Sequence, residues 1–239
     1  MSFEIDGLLL VDKPSGRTSH DVVHFVRKRF GIKKVGHCGT LDPMATGLLM
    51  LVLGRATKVQ DLLMSEDKHY EGTLTLGRST TTQDAEGETV EEHPVPDLSE
   101  EDLKVVFNRY LGDFYQIPPM VSAIKVDGVP LYKLAREGKE IVREPRFVHV
   151  YSYQIHEVKL PRVQFGLHCS KGFYVRTYCH DIGHALGCHG HLSALRRTRS
   201  GNFRLDDAVG WQQLETIQSD AELAGHVLSM PAISRIRRQ

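Results

Sequence analysis

The stretch Gly36-His37-Cys38-Gly39-Thr40-Leu41-Asp42-Pro43-Met44-Ala45-Thr46-Gly47-Leu48-Leu49 sets one acidic side chain among three glycines and a proline, directly ahead of an apolar run. Pro43 disfavours helical backbone in the residue before it, which restricts Asp42 to extended conformations. The glycines permit tight turns on either side. Residues 48–53 are short, continuous and apolar, which suits a buried central strand. Such a segment holds a single carboxylate rigidly at the edge of a core. A bare Leu-Asp-Pro is most often only a favourable turn, so the weight rests on the whole string of fourteen residues.

Upstream, residues 7–12 read as a short buried strand ended by the turn cluster Lys13-Pro14-Ser15-Gly16. Thr18-Ser19-His20-Asp21 fits a capping box. Val22, Val23, Val26 and Phe30 then make one helical face, and Gly31 closes the helix behind the basic turn Arg27-Lys28-Arg29. Downstream, residues 56–64 look helical and residues 70–76 alternate like a strand. Ser99-Glu100-Glu101-Asp102 caps a second helix with the stripe Leu103, Val106, Phe107, Tyr110 and Leu111, and Gly112 stops it.

Residues 117–146 differ in character. They open on Pro118-Pro119, turn at Val126-Asp127-Gly128, pass through a short charged helix at 131–137 and end on Arg143-Glu144-Pro145-Arg146. This is a long excursion between core elements, the kind of segment that often carries function. Residues 147–159 and 162–169 resemble strands joined at Leu160-Pro161. Residues 175–186 form a helix, 203–208 a last strand and 209–217 a helix. Strands and helices mix irregularly, with no βα alternation and no glycine-rich phosphate loop, so the expected class is α+β.

A chain of 239 residues with 41% apolar and 25% charged residues is an ordinary globular one. No apolar run approaches the roughly 20 residues that span a bilayer, and the start Met1-Ser2-Phe3-Glu4-Ile5-Asp6 is acidic where a signal peptide is basic. No membrane partner is expected. The cysteines at 38, 169, 179 and 188 form no CxxC pair, which points to a reducing cytoplasm and no disulfide framework. The formal net charge is zero, but nine acidic and no basic residues lie between Asp84 and Asp102, so the rest of the chain carries +9. The basic residues cluster at 27–29, at Lys33-Lys34, at Arg196-Arg197 with Arg199 and Arg204, and at Arg235, Arg237 and Arg238. One such run is usually a solvated face; several of them beside a segregated acidic segment point to a basic face.

The fourteen-residue string closely resembles the catalytic motif of the bacterial tRNA pseudouridine-55 synthase (TruB) family. The likeness runs from Gly7-Leu8-Leu9-Leu10-Val11-Asp12-Lys13-Pro14 to Arg196-Arg197-Thr198-Arg199-Ser200-Gly201. Between them, in the family's order, stand Gly54-Arg55-Ala56-Thr57-Lys58, Lys68-His69-Tyr70, the segment from Gln116 to Lys125, and the segment from Cys169 to Thr177. The resemblance implies a pseudouridine-synthase catalytic fold with a mixed, largely antiparallel sheet flanked by helices and loops. It implies a catalytic domain over 1–210, with an RNA-gripping insertion at about 117–146, and a short helical tail over 211–239. The residues after Trp211 leave no room for a PUA domain of ordinary size, which longer family members carry; a natural short form and a truncation both fit.

By the same resemblance, Asp42 is the nucleophile. Tyr70 is the tyrosine that stacks on the target base, and Arg176 is the arginine that pairs with the catalytic carboxylate. Leu195 lines the base pocket, and His37 and Lys58 lie near the RNA. The reaction breaks a C–N glycosidic bond, turns the uracil and makes a C–C bond. A carboxylate that attacks the sugar C1′, or assists glycal formation, divides that change into easier steps. The implied substrate is uridine 55 in the tRNA T arm, extruded into the pocket. Lys125, Lys133, Arg136, Lys139, Arg143 and Arg146 of the insertion suit phosphate contacts. No cofactor and no guide RNA are implied, and the chain is expected to act as a monomer. The nearest rivals are the related guide-dependent synthase and a tRNA-folding chaperone that binds T arms without chemistry.

Cys179-His180, His184 and Cys188-His189-Gly190-His191 crowd metal-binding residue types together, and His180 and His184 share a helix face at a spacing that zinc sites use. There is no second cysteine pair, and the matching family helix needs no metal. No metal is expected there.

Overall fold

The computed structural model describes residues 5–122, 124–126 and 128–238. Expectations that rest on residues 1–4, Ala123 and Asp127, or on the side chains of Lys125 and Arg136, lie outside the described residues. In chain order the elements are β1 (Gly7–Lys13), α1 (Ser19–Arg29), β2 (Val35–His37), β3 (Thr46–Leu53), a 3-10 helix (Gly54–Val59), α2 (Gln60–Met64) and β4 (Lys68–Leu76). There follow β5 (Arg78–Thr80), β6 (Thr89–Glu92), α3 (Glu100–Asn108), β7 (Gly112–Gln116), β8 (Lys125–Val126), β9 (Val129–Pro130), α4 (Leu131–Arg136) and β10 (Arg146–Lys159). The chain continues through β11 (Arg162–Cys169), α5 (Val175–Ala185), β12 (Gly190–Ser200) and β13 (Phe203–Arg204). It ends with β14 (Val209–Gly210), α6 (Trp211–Thr216), α7 (Asp220–Gly225), β15 (Val227–Leu228) and α8 (Met230–Arg237). This is the expected α+β class, with a mixed sheet and flanking helices. Among the described residues, no helix is long and apolar enough to cross a membrane.

The chain forms two compact units. One comprises residues up to Tyr70 together with Arg196–Gln239, and the other Glu71–Leu195. In the first unit, β1 lies antiparallel to β3 from Gly7↔Leu53 to Lys13↔Gly47 and is flanked on its other side by β14 and β15. β2 adds to one end of β3 through His37↔Leu51, and β12 pairs parallel with its start through Arg196↔Thr46 and Arg197↔Gly47. The apolar run at 48–53 is buried on both faces, as its unbroken composition requires. Leu48, Met50 and Val52 face Leu8, Leu10, Leu63, Phe203 and Ile233 in one cluster. Residues after 210 thus take part in this unit, through β15 against β1 and through Ile233 of α8.

The capping box at Thr18 forms as its sequence predicts: the Thr18 hydroxyl accepts from the Asp21 N–H at 3.0 Å, and the Asp21 carboxylate accepts from the Thr18 N–H at 2.7 Å. Gly31 takes φ +62° just beyond the end of α1.

In the second unit β10 pairs antiparallel with β11 and β7, and the core is aromatic. Phe107 of α3 makes edge contacts with Phe165 of β11 and Tyr178 of α5, with centroids 5.9 and 5.7 Å apart. The same helix is capped by Ser99 and Asp102. Its stripe is shorter than its sequence suggests, because α3 ends at Asn108 and Leu111 is exposed.

Candidate active site

In the first unit, residues 38–45 connect β2 to β3 and carry Asp42 at their middle. Many backbone groups around it are tied down. The Ser19 hydroxyl donates to the Leu41 carbonyl at 3.0 Å, and the Leu41 N–H donates back to the same oxygen at 2.8 Å. The Pro43 carbonyl accepts from the Gly16 N–H at 2.9 Å and from the Lys13 ammonium at 3.3 Å. Ser15 donates to the Met44 carbonyl at 3.2 Å, and the Ala45 N–H donates to the Asp42 carbonyl at 3.1 Å. Lys13 is fully buried, and its ammonium also donates to the carbonyls of Pro14 and Arg17 at 2.9 and 2.6 Å. The turn Lys13-Pro14-Ser15-Gly16 therefore does more than end a strand. It forms the floor under the Asp42 loop.

The loop's two ends are joined by Arg197 of β12. This buried guanidinium donates to the Leu48 carbonyl at 2.7 Å and to the Gly39 carbonyl at 3.1 Å. The strands approach so closely that a Cβ on Gly47, where φ is +98°, would stand 2.3 Å from the Arg197 carbonyl oxygen. Arg196 forms a two-pronged pair with Asp12 at 2.7 and 3.1 Å. These two arginines, read from sequence as part of a basic run, serve the loop and the sheet.

Asp42 itself is half-buried. Cys38, nearby, is fully buried, and burial pushes its thiol up to about 12, so at neutral pH it is no competing nucleophile. His37 is held below the usual histidine range by burial, with the charges of Arg197 and His20 adding to the effect. It is a neutral ring, suited to stacking rather than to pairing with phosphate. Lys58 is exposed on the 3-10 helix after β3, and Tyr70 is half-buried in β4.

In the second unit, Arg176 lies in the first turn of α5 and is buried. A cation there opposes the helix dipole, so it needs compensating partners. It donates to the carbonyls of Thr82 and Val121 at 3.0 and 2.8 Å and lies 3.5 Å from the Asp84 carboxylate. Asp84 is also buried. It accepts from the Thr82 hydroxyl at 2.5 Å and from the Glu86 N–H at 3.0 Å, and the 83–85 backbone exchanges hydrogen bonds with Leu192 of β12. Gln116 locks the start of α5, bonding both the N–H and the carbonyl of Tyr174 at 2.8 and 3.0 Å. Leu195 is buried in β12. His37 at the end of β2, Asp42 and Lys58 thus belong to the first unit, while Arg176 and Leu195 belong to the second and Tyr70 and Leu195 border the division.

The sequence reading missed the role of Asp84, counted only within an acidic segment, and the positioning roles of Lys13, Ser19 and Arg197. No local pattern around Asp84 marks it as buried.

Residues 27–175 match the TruB family pseudouridylate synthase N-terminal domain, and residues 176–233 match the tRNA pseudouridylate synthase B C-terminal domain. The chain belongs to the TruB family. A tRNA pseudouridine synthase B of Opitutus terrae is 52% identical over 214 residues, which cover 90% of this chain and 89% of that protein. Another, of Syntrophotalea carbinolica, is 49% identical over 211 residues, covering 88% and 69%. Among solved structures, a chain of a Cbf5-Nop10-Gar1 complex superposes with a TM-score of 0.75 at 28% identity, covering 99% of this chain and 63% of that one. As a TruB-family pseudouridine synthase the protein is an isomerase: it exchanges the C–N glycosidic bond of uridine for a C–C bond, with C5 losing a proton and N1 gaining one, so that the composition is unchanged. That chemistry gains from groups positioned before the sugar arrives, and the backbone of the Asp42 loop is anchored.

Proposed function

We propose that the chain converts uridine 55 in the T loop of tRNA to pseudouridine, with Asp42 as the nucleophile. The observation that carries this reading is the Asp42 loop, fixed from Gly39 to Leu48 by buried Lys13, Ser19 and Arg197 within a chain whose relatives are named tRNA pseudouridine synthase B. Arg176 pairs with the Asp42 carboxylate and keeps it ionised, Tyr70 stacks on the flipped base and Leu195 lines the pocket. His37 and Lys58 contact the RNA. Residues 1–210 act as the catalytic part with 117–146 as its RNA grip, and 211–239 follow as a short helical segment. The enzyme works as a monomer in the reducing cytoplasm on the T arm alone, without cofactor or guide RNA. Its four free cysteines suit that compartment.

The test is tritium release from C5-labelled uridine, with intact tRNA and an isolated T-arm stem-loop as substrates. Product from both supports the reading. Activity on tRNA but none on the stem-loop means that recognition extends beyond the T loop. Activity only with an added guide RNA favours the guide-dependent reading, and binding without product on any substrate favours the chaperone.

A further inference from the structure

Outside the residues assigned above, the second unit gathers Glu91, His93 and His189, whose ligand atoms all lie within 4.8 Å of one another. Glu91 and His93 sit at and just beyond the end of β6, two residues apart and therefore on one side of the strand. His189 lies in the turn between α5 and β12. Its Nε2 is 3.2 Å from the Glu91 carboxylate, its ring stacks on His93 at 4.4 Å, and the His184 ring stands edge-on to it at 5.6 Å.

The backbone that presents these side chains is fixed. Gly77 bridges the two histidines: it accepts from the His93 N–H at 2.8 Å and donates to the His189 carbonyl at 3.1 Å. A Cβ on Gly183 of α5 would stand 2.2 Å from the Gly190 nitrogen and 2.4 Å from the His189 carbonyl carbon, so the turn lies directly against the helix. His189 has φ +58° and is, with Gln83, one of two non-glycine residues in the left-handed region among the described residues. A side chain kept at such a position is a pointer to a task.

We propose that Glu91, His93 and His189 form a zinc site, non-catalytic and separate from Asp42, that clasps the end of the β5–β6 hairpin to the turn before β12. Two imidazoles and one carboxylate are a borderline-to-hard donor set that suits Zn2+, leaving a fourth position for water or for His184. Calcium and magnesium prefer all-oxygen sets. His93 is exposed and can turn its ring so that its lone pair meets the ion. Cys179 and Cys188 are both buried, and neither belongs to this cluster of converging ligand atoms. The hairpin leads into and out of the segment that carries Asp84, so the clasp fixes the segment to which Arg176 is bonded.

The experiment uses the full, tag-free, metal-stripped chain titrated with Zn2+ by calorimetry, and with Co2+ as a spectroscopic probe. Wild type should take up one Zn2+ per chain, and saturating zinc should raise the unfolding midpoint by about 5 °C. His93→Ala should weaken binding at least tenfold, roughly the loss seen when a metal site is perturbed even beyond its ligands. His189→Asn should do the same while keeping a residue that tolerates left-handed backbone. Cys188→Ser should bind as wild type does, and the Co2+ complex should lack a thiolate band. The proposal fails if wild type binds no stoichiometric zinc, if both histidine variants bind as tightly as wild type, or if Cys188→Ser removes the metal.

Discussion

The loop around Asp42 and the excursion between β7 and β10 both lie outside the large sheet, yet they are held in different ways. The loop is bonded at residues 39, 41, 43, 44, 45 and 48, several times by buried donors. In the excursion buried Arg176 holds the Val121 carbonyl at 2.8 Å and Arg143 the Pro118 carbonyl at 3.2 Å, but its charged pairs are exposed: Lys139 with Glu137 at 2.8 Å and Arg143 with Glu140 at 3.6 Å. Pro118, Pro119, Ser122 and Leu131 are its buried residues among those described. Exposed ion pairs of this kind contribute little to stability. A group that must meet one sugar carbon gains from being fixed in advance, while side chains that meet phosphates gain from reach.

The strongest way to break this comparison is Asp42→Asn, which keeps the size and most hydrogen bonding and removes the nucleophile. Turnover measured by tritium release should fall roughly 10^3-fold or more, with tRNA binding little changed. Substantial turnover by a verified, uncontaminated variant would remove Asp42 from its role and leave the anchored loop without a purpose. Next is Arg176→Lys, which keeps charge and loses the planar donor pair. We expect kcat to drop about a hundredfold while Kd for tRNA stays near wild type. Wild-type kinetics here would end the proposed Arg176–Asp42 pairing.

Sharpening the comparison on the side of stability, Lys13→Met keeps the buried stem and leaves the Pro14, Arg17 and Pro43 carbonyls without that donor. Urea unfolding should show a loss of about 2–4 kcal/mol. A midpoint equal to wild type would mean that the floor of the loop does not depend on this ammonium.

What the sequence disclosed and what it hid follow from the same physics. The strand at 48–53, the capping boxes at Thr18 and Ser99, and the helix over Val175–Ala185 were legible because their signals are local. β12 was not. Its Arg196-Arg197-Thr198-Arg199 reads as a solvated basic run, yet Arg197 is buried against carbonyls supplied by residues about 150 positions away. Asp84 was hidden in the same manner, a charge in an acidic segment whose partner Arg176 is remote in sequence. The expected helix at 56–64 divides into a 3-10 turn and the short α2, and the expected strand at 203–208 stops after Arg204, where a 3-10 turn takes over. For the site, the motif singled out Asp42 as the candidate nucleophile but not the residues that hold its loop, because long-range bonds to backbone leave no pattern in the chain.

The smallest effects should come from the excursion, and they discriminate most finely. Lys133→Ala and Lys139→Ala remove exposed cations, the second with a single described and exposed ion pair, so the urea midpoint should stay at the wild-type value. If each lysine meets a phosphate, tRNA affinity should fall several-fold, and the slope of log affinity against log salt should become shallower by about 1 for each residue removed. The turnover rate of bound tRNA should not change, since the Asp42 loop is anchored by other residues. Filter binding across a salt series, beside single-turnover tritium release, reads the two quantities separately. A fall in single-turnover rate with unchanged affinity would mean that the excursion helps to assemble the active site, and the division between a fixed chemical loop and a reaching grip would then fail.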